Sequence, residues 1–435
     1  GLGDDWPIGY DDIKPYYDEV DRLIGVFGSE EGIHNQPDGI FLPPPKPRCY
    51  ELLVKDAADR LHVTCIAGRL SILTRAHNGR PPCHYCGQCN RGCAVNANFS
   101  STNVLLPPAR TTGNLTLITH AMAREVTVNR GGKASGVAYV DKRDGSDQHV
   151  QAKVVILAAS ACESARILLN SRSSRFPQGL ANGSGVVGKY LTDTTGTDVA
   201  GFIPKLMDMP PHNEDGVGGG HIYMPWWRDN AKLDFPRGYH IEVWGGRGMP
   251  SYGFMGGIQA YAPGGGWGKS LKNDYRLYYG ATVGFSGRGG MIPNADSYCE
   301  IDPTVVDQWG IPVLRFHWRW NDHEYLQVKH MQETFRALIA EMGGEVFSPM
   351  PTAEDGYGIA PGGRIIHELG TVRMGNDPAT SAVNGYSQAH EVTNLFVADG
   401  GPFVSQADKN PTWTIMALSM RTSEYIAEQR KRGAL

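Results

Sequence analysis

The sequence has no basic excess. Its 41 Lys and Arg residues are outnumbered by 45 Asp and Glu, giving a net charge of -4. No domain-wide positive field is therefore available to hold a nucleic acid. The short basic run Arg430–Arg432 reads as a solvated helix end, where positive charge suits the dipole. No apolar stretch approaches the roughly 18 residues of a membrane span. Neither an internal repeat nor a low-complexity tract is present, so no repeat architecture is indicated. The chain also lacks Gly-x-Gly-x-x-Gly between a buried strand and a helix. Gly216–Gly220 and Gly284–Gly290 are rich in glycine, but both read as sheet loops. Residue 1 is Gly, and Gly1–Gly9 reads as the middle of a protein: a loop with Trp6 and Pro7, leading into a helix. The expectation is that upstream sequence has been lost, with a processed mature start as the alternative.

What is present is an ordinary globular composition, 41% hydrophobic and 20% charged over 435 residues. That length suits two or three domains. Ile13, Tyr17, Val20 and Ile24 repeat at helical spacing behind Asp11 and Asp12. Residues 36–48 are Pro-rich and extended. Strands are expected at Leu115–Ile118, around Val126 and Val128, and at Gly136–Val140 after a Gly131-Gly132 turn. The apolar run Val154–Ala159 fits a strand buried on both faces, and Ser160–Asn170 a helix directly after it. Residues 200–290 carry short alternating stretches and many turn signals, which predicts an antiparallel sheet. Asp322–Met342 reads as one amphipathic helix, and residues 394–399 as a second buried strand. Asn410, as N-cap, and Pro411 open a last helix.

Two pieces near the C-terminus carry chemistry. One is His367-Glu368-Leu369-Gly370-Thr371 with Met374-Gly375; the other is the strand ending in Asp399-Gly400, followed by Asn410-Pro411-Thr412. In order and spacing they resemble the C-terminal signature of the glucose–methanol–choline flavoenzymes. Ala158–Leu169, Gly185-Val186-Val187-Gly188, and Asp302-Pro303 with Trp309-Gly310-Ile311-Pro312 are similar to earlier family segments. The resemblance implies an α/β fold: an incomplete Rossmann-like FAD domain interrupted by a substrate domain with an antiparallel sheet. The expected division is a cap or linker region over 1–110, FAD-domain segments over 111–175 and 351–435, and a substrate domain over 176–350. The resemblance implies FAD as cofactor, His367 as catalytic base and Asn410 as the group fixing the substrate oxygen. It places Asp399, Gly400, Asn410, Pro411 and Thr412 against the cofactor. The family's usual His after its Gly-Val-Gly-Lys-x-Leu-x-Asp stretch is replaced by Thr194 or Thr195.

The chemistry agrees with these assignments. Oxidising an alcohol removes a hydroxyl proton while a hydride leaves carbon, and imidazole titrates in the right range for that base. A helix start such as Asn410-Pro411-Thr412 favours developing negative charge by roughly 0.3–2 kcal/mol.

Cys83, Cys86, Cys89 and Cys93 place four thiols within eleven residues, in a ferredoxin-like spacing. Three readings stay open: an iron–sulfur cluster, disulfides or free thiols, and zinc, which normally spreads its cysteine pairs further apart. A cluster would favour a dehydrogenase passing electrons to a cytochrome or quinone over an oxidase. The family's gluconate-type and glucoside 3-dehydrogenases then imply a small partner subunit. A non-catalytic electron-transfer subunit is the alternative from another class. Trp226, Trp227, Tyr239, Trp244, Tyr252, Tyr261 and Trp267 could stack on a sugar or fill a sheet core. The expected substrate is an alcohol, with a sugar or glycoside favoured.

Overall fold

The computed structural model describes residues 2–207, 216–225, 232–246 and 267–435. The chain opens with α1 (Tyr10–Ile24), whose first turn is closed by Asp12 accepting from the Gly9 amide. A short parallel pair, β1 (Val26–Phe27) and β2 (Phe41–Leu42), precedes α2 (Cys49–Arg60) and β3 (Ile66–Ala67). After α3 (Leu106–Thr111) come β4 (Ala121–Val128), β5 (Ala134–Asp141) and β6 (Asp147–Gln151), an antiparallel meander. Next are β7 (Val155–Leu157) and α4 (Ala161–Asn170), capped by the Ser160 hydroxyl. Strands β8 (Asp198–Phe202), β9 (Ile222–Met224) and β10 (Tyr239–Gly245) lead to α5 (Gly268–Tyr278) and β11 (Thr282–Gly289). The hairpin β12 (Tyr298–Val306) and β13 (Pro312–His317) is followed by α6 (Asp322–Glu341) and β14 (Glu345–Val346). The chain closes with β15 (Leu395–Val397) and α7 (Thr412–Lys431).

The expected mixed α/β architecture is present. Strands β7 and β15 pair in parallel, Val155 opposite Leu395, although 240 positions separate them in sequence. This pair and α4 sit in one core with Leu168, Leu180, Val372, Val383 and Val397. The expected antiparallel sheet is also present, in the order β14-β8-β11-β10-β9-β3. Its alternation decides what each face does. Val199, Ile241, Val243, Val283 and Phe285 point one way and bury against Val328, Met331, Phe335 and Ile339 of α6. Added bulk at Gly287 would come within 2.4 Å of Met331 Sδ, so glycine lets α6 lie close. The other face carries His240, Glu242, Trp244, Ser286, Arg288 and Asp198, in register across three strands.

Three sequence expectations need correction. Leu115, Leu117 and Ile118 are exposed and form no strand; no segment among the described residues supplies a ladder to satisfy their backbone. In the run 154–159 only Val155–Leu157 is strand, and Ile156 is 49% exposed, so this strand is covered on one face rather than two. Helix α7 begins at Thr412 with Pro411 in the cap position. Asn410 is not the N-cap because its amide is turned towards Glu242 and His367.

Candidate active site

Three segments converge below the polar face of the antiparallel sheet. The first runs from Gly188 to Thr195. Gly188 donates to the Thr371 carbonyl at 2.6 Å, and a Cβ there would approach the Cys299 carbonyl oxygen to 2.2 Å, so only glycine fits. Thr192 and Leu369 then exchange both backbone hydrogen bonds, at 3.0 and 2.9 Å. That register sets Asp193 and Thr194 beside the second segment, residues 363–371. The third segment is the turn after β15. Gly370 donates to the Gly400 carbonyl and Val372 to the Gly401 carbonyl, both at 3.0 Å. A Cβ on Gly400 would meet Leu369 Cδ2 at 2.6 Å, which explains glycine there.

His367 and Asn410, distant in sequence, meet here: Asn410 Nδ2 lies 3.4 Å from His367 Nε2. The other imidazole nitrogen, Nδ1, lies 3.0 Å from Thr194 Oγ1, which accepts from Gln406 Nε2 at 3.1 Å. Thr194 and Gln406 are buried. Asp193, also buried, accepts from the backbone amides of His367 (3.0 Å), Thr194 (2.7 Å) and Gly363 (3.0 Å). Its carboxyl is raised by burial, against the pull of those amides. Burial and then the Arg288 charge hold the imidazole neutral, bringing His367 down to about 4. A neutral ring with one nitrogen fixed can take a proton at the other.

The wall opposite this pair is Glu242. Its Oε1 lies 3.3 Å from Asn410 Nδ2 and 3.5 Å from His240 Nε2, and its Oε2 lies 3.4 Å from Arg288 Nη2. Burial pushes the carboxyl up, but the His240 hydrogen bond and the Arg288 charge outweigh it and leave Glu242 at about 2. It is an ionised acceptor at any ordinary pH.

Of the residues expected from sequence to face a cofactor, Gly400 and Asn410 lie at this convergence, and Pro411 and Thr412 follow Asn410 at the start of α7. Asp399 is buried, and its carboxylate accepts from Ser164 Oγ at 2.5 Å and from the Gly401 amide at 2.7 Å. Gln406 Oε1 is buried with no partner among the described residues, an acceptor available to a bound group. Glu242, Arg288, Asp193 and Gln406 were not anticipated. The signal for Glu242 was the alternation His240, Glu242, Trp244 in a strand whose other side is apolar. The Thr replacing the family's usual His divides its work: Thr194 holds His367, while Thr195 reaches Gln327 on α6.

The aromatic expectation is met in part. Tyr239 is fully buried and bonded to His330 (2.8 Å) and Thr334 (3.1 Å), a core residue. Trp244 lies on the polar face, its ring over Gly284. Trp267 is 83% exposed ahead of α5. Trp226, Trp227, Tyr252 and Tyr261 lie outside the described residues.

The cysteine run does not form a metal site in this structure. Cys83 and Cys93 pack against the core around Phe27, Leu73 and Val217, Cys89 abuts Gly218, and Cys86 is exposed. No three His, Cys, Asp or Glu side chains among the described residues converge as metal ligands. All eight cysteines are free thiols. The four thiols still lie near enough to one another for Cys86, Cys89 and Cys93 to act on the charge of Cys83. The Cys83 amide donates to Leu73, and the Asn98 amide donates to Cys93 Sγ.

The fold is α/β, and in it a neutral imidazole and a carboxamide face a charged sheet wall. The chain belongs to the GMC oxidoreductase family, whose N-terminal model matches residues 65–194 and whose C-terminal model matches residues 293–419. It is 30% identical to 2-methyl-1,2-propanediol dehydrogenase of Mycolicibacterium austroafricanum over 98% of this chain and 75% of that protein. Identity to paromamine 6'-oxidase of Streptomyces fradiae is 27%, covering 98% and 73%. For the fructose dehydrogenase large subunit of Gluconobacter japonicus it is 23%, covering 100% and 76%. Among solved structures, formate oxidase of Aspergillus oryzae superposes with a TM-score of 0.66 at 13% identity, covering 97% of this chain and 79% of that one. Family membership supports FAD as the cofactor and a CH–OH group as the point of attack.

Proposed function

We propose that this chain oxidises a hydroxyl group of a small polar alcohol, a sugar or glycoside above all, in an FAD-dependent reaction that delivers electrons to an external acceptor. The observation that carries this reading is the meeting of His367 Nε2 and Asn410 Nδ2 at 3.4 Å, with Nδ1 engaged by buried Thr194. Bound FAD supplies the hydride acceptor. The chain's own residues do the rest. His367 takes the hydroxyl proton at Nε2, which requires Nδ1 to carry its proton and donate to Thr194 Oγ1. Asn410 Nδ2 donates to the substrate oxygen and holds the alcohol at the imidazole. Removing hydroxyl protons by a positioned base contributes about 10²–10⁴-fold. The Asp399–Gly400 turn and the Asn410-Pro411-Thr412 helix start hold the cofactor in this reading, with Gln406 Oε1 as an acceptor beside them. The helix start favours negative charge arriving there.

The choice of dehydrogenase rests on the 2-methyl-1,2-propanediol dehydrogenase and fructose dehydrogenase relatives; the latter is named a large subunit, which supports a small partner subunit here too. The paromamine 6'-oxidase relative favours the second reading, an oxidase. Turnover without oxygen on an artificial acceptor, compared with peroxide release in air, separates the two. His367→Ala tests the core assignment in the flavin-loaded protein. Turnover is expected to fall at least ~100-fold. Activity within tenfold of the parent would remove His367 from the chemistry.

A further inference from the structure

Two carboxylates close to the antiparallel sheet differ in one respect. Glu51, on α2, is saturated. It accepts from the Arg48 amide at 2.7 Å and the His221 amide at 2.8 Å, pairs with the Arg48 guanidinium, and is fully buried. That is how a structural carboxylate is satisfied. Glu242 is not. None of its contacts, to Asn410, His240 or Arg288, is shorter than 3.3 Å, and its side chain is 38% exposed. A carboxylate can accept about four hydrogen bonds, and contacts this long leave most of that capacity unused. Arg288 is similar. Nη1 donates to its neighbour's carbonyl, Gly287, at 2.8 Å, while the distances to Glu242 (3.4 Å) and Asp198 (3.9 Å) are loose.

Position gives this spare capacity a use. Asn410 Nδ2 is shared between His367 Nε2 and Glu242 Oε1, at 3.4 and 3.3 Å. A hydroxyl oxygen held by His367 and Asn410 therefore has Glu242 one hydrogen bond further along the same wall. The register fixes the pairing. Glu242 stands opposite Ser286, and Arg288 opposite His240, so carboxylate and guanidinium meet diagonally on one face. Together they offer one acceptor and one donor, which is what a neutral hydroxyl needs. A lone alkyl group would use neither.

We infer that Glu242 and Arg288 form a subsite for a second hydroxyl, on the carbon next to the one oxidised, so that the substrate class is vicinal diols and polyhydroxylated rings rather than simple alcohols. The inference rests on the reading of His367 and Asn410 as the oxidising pair. Trp244, two residues along on the same face, adds an aromatic surface that suits a sugar ring.

The test uses the flavin-loaded protein and an artificial acceptor. First, kcat/KM of the parent is measured for a pyranoside and for its analogues lacking one hydroxyl beside the oxidised carbon. Loss of that hydroxyl is expected to lower kcat/KM at least about tenfold, because a site built to bond a hydroxyl leaves its own groups unpaired without it. Second, the ratio of kcat/KM for the pyranoside to that for cyclohexanol is compared in the parent, Glu242→Gln and Arg288→Gln. The ratio is expected to fall about tenfold in each variant, and the penalty for the deoxy analogue to shrink with it. A parent indifferent to the neighbouring hydroxyl overturns the subsite, whatever the variants do. A ratio within twofold of the parent in both variants overturns the assignment to these residues. A parent that oxidises no alcohol at all is a different failure, that of the proposed function itself.

Discussion

At the scale of single residues, the site depends on which nitrogen of His367 carries the proton. Thr194 is the only side chain bonded to Nδ1 among the described residues, and it is tied in turn to Gln406. Thr194→Val keeps the shape and removes the hydroxyl. Losing one hydrogen bond of ordinary strength is expected to lower kcat roughly tenfold, with KM little changed, because Thr194 does not reach the substrate space. Steady-state kinetics checks this; a rise in KM with kcat intact would instead place Thr194 on the substrate. His367 and Asn410 could be read from sequence, because short motifs with fixed spacing carry them. Asp193 and Gln406 could not. Their role depends on Thr192 pairing with Leu369, 177 positions away, and no local pattern encodes that pairing.

At the scale of elements, the alternation in Tyr239–Gly245 was legible, and so was the antiparallel sheet. Which side of the sheet would meet His367 was not, since period two defines two faces without naming their neighbours. Failures elsewhere have the same origin. Leu115–Ile118 has strand-forming composition but no partner strand among the described residues, and Ile156 has the hydrophobicity of a core residue on an exposed face. Helix α6 shows the opposite case, a long amphipathic pattern that needed no context. Phe335 is fully buried there and stacks on Phe285 with ring centroids 5.9 Å apart. Phe335→Ala is expected to cost about 3–5 kcal/mol, read as a lower urea midpoint with an unchanged slope.

For the molecule as a whole, buried carboxylates make stability depend on pH. Asp21 on α1 is raised from 3.8 to about 7, chiefly by burial, against the pull of the Ile40 amide, the Trp413 side chain and the Arg69 charge. Its protonated form suits the fold, so its contribution is fully present below pH 3.8 and is lost as pH rises through 7. Asp21→Asn removes that loss. The variant's melting temperature is expected to gain on the parent's as pH rises from 4 to 8, in thermal melts at a few pH values. A constant difference across that range would mean that Asp21 ionises normally.

The two faces of the antiparallel sheet also divide labour in a way that protein engineering can use. Tyr239, Ile241 and Val243 of this strand build the core under α6, and His240, Glu242 and Trp244 lie on the face that meets Asn410. A library confined to 242, 244, 286 and 288 would vary what the protein accepts while leaving its apolar packing intact. Shifting the strand by a single residue would exchange the two sets at once. Recognition here is thus open to change by substitution and closed to change by insertion.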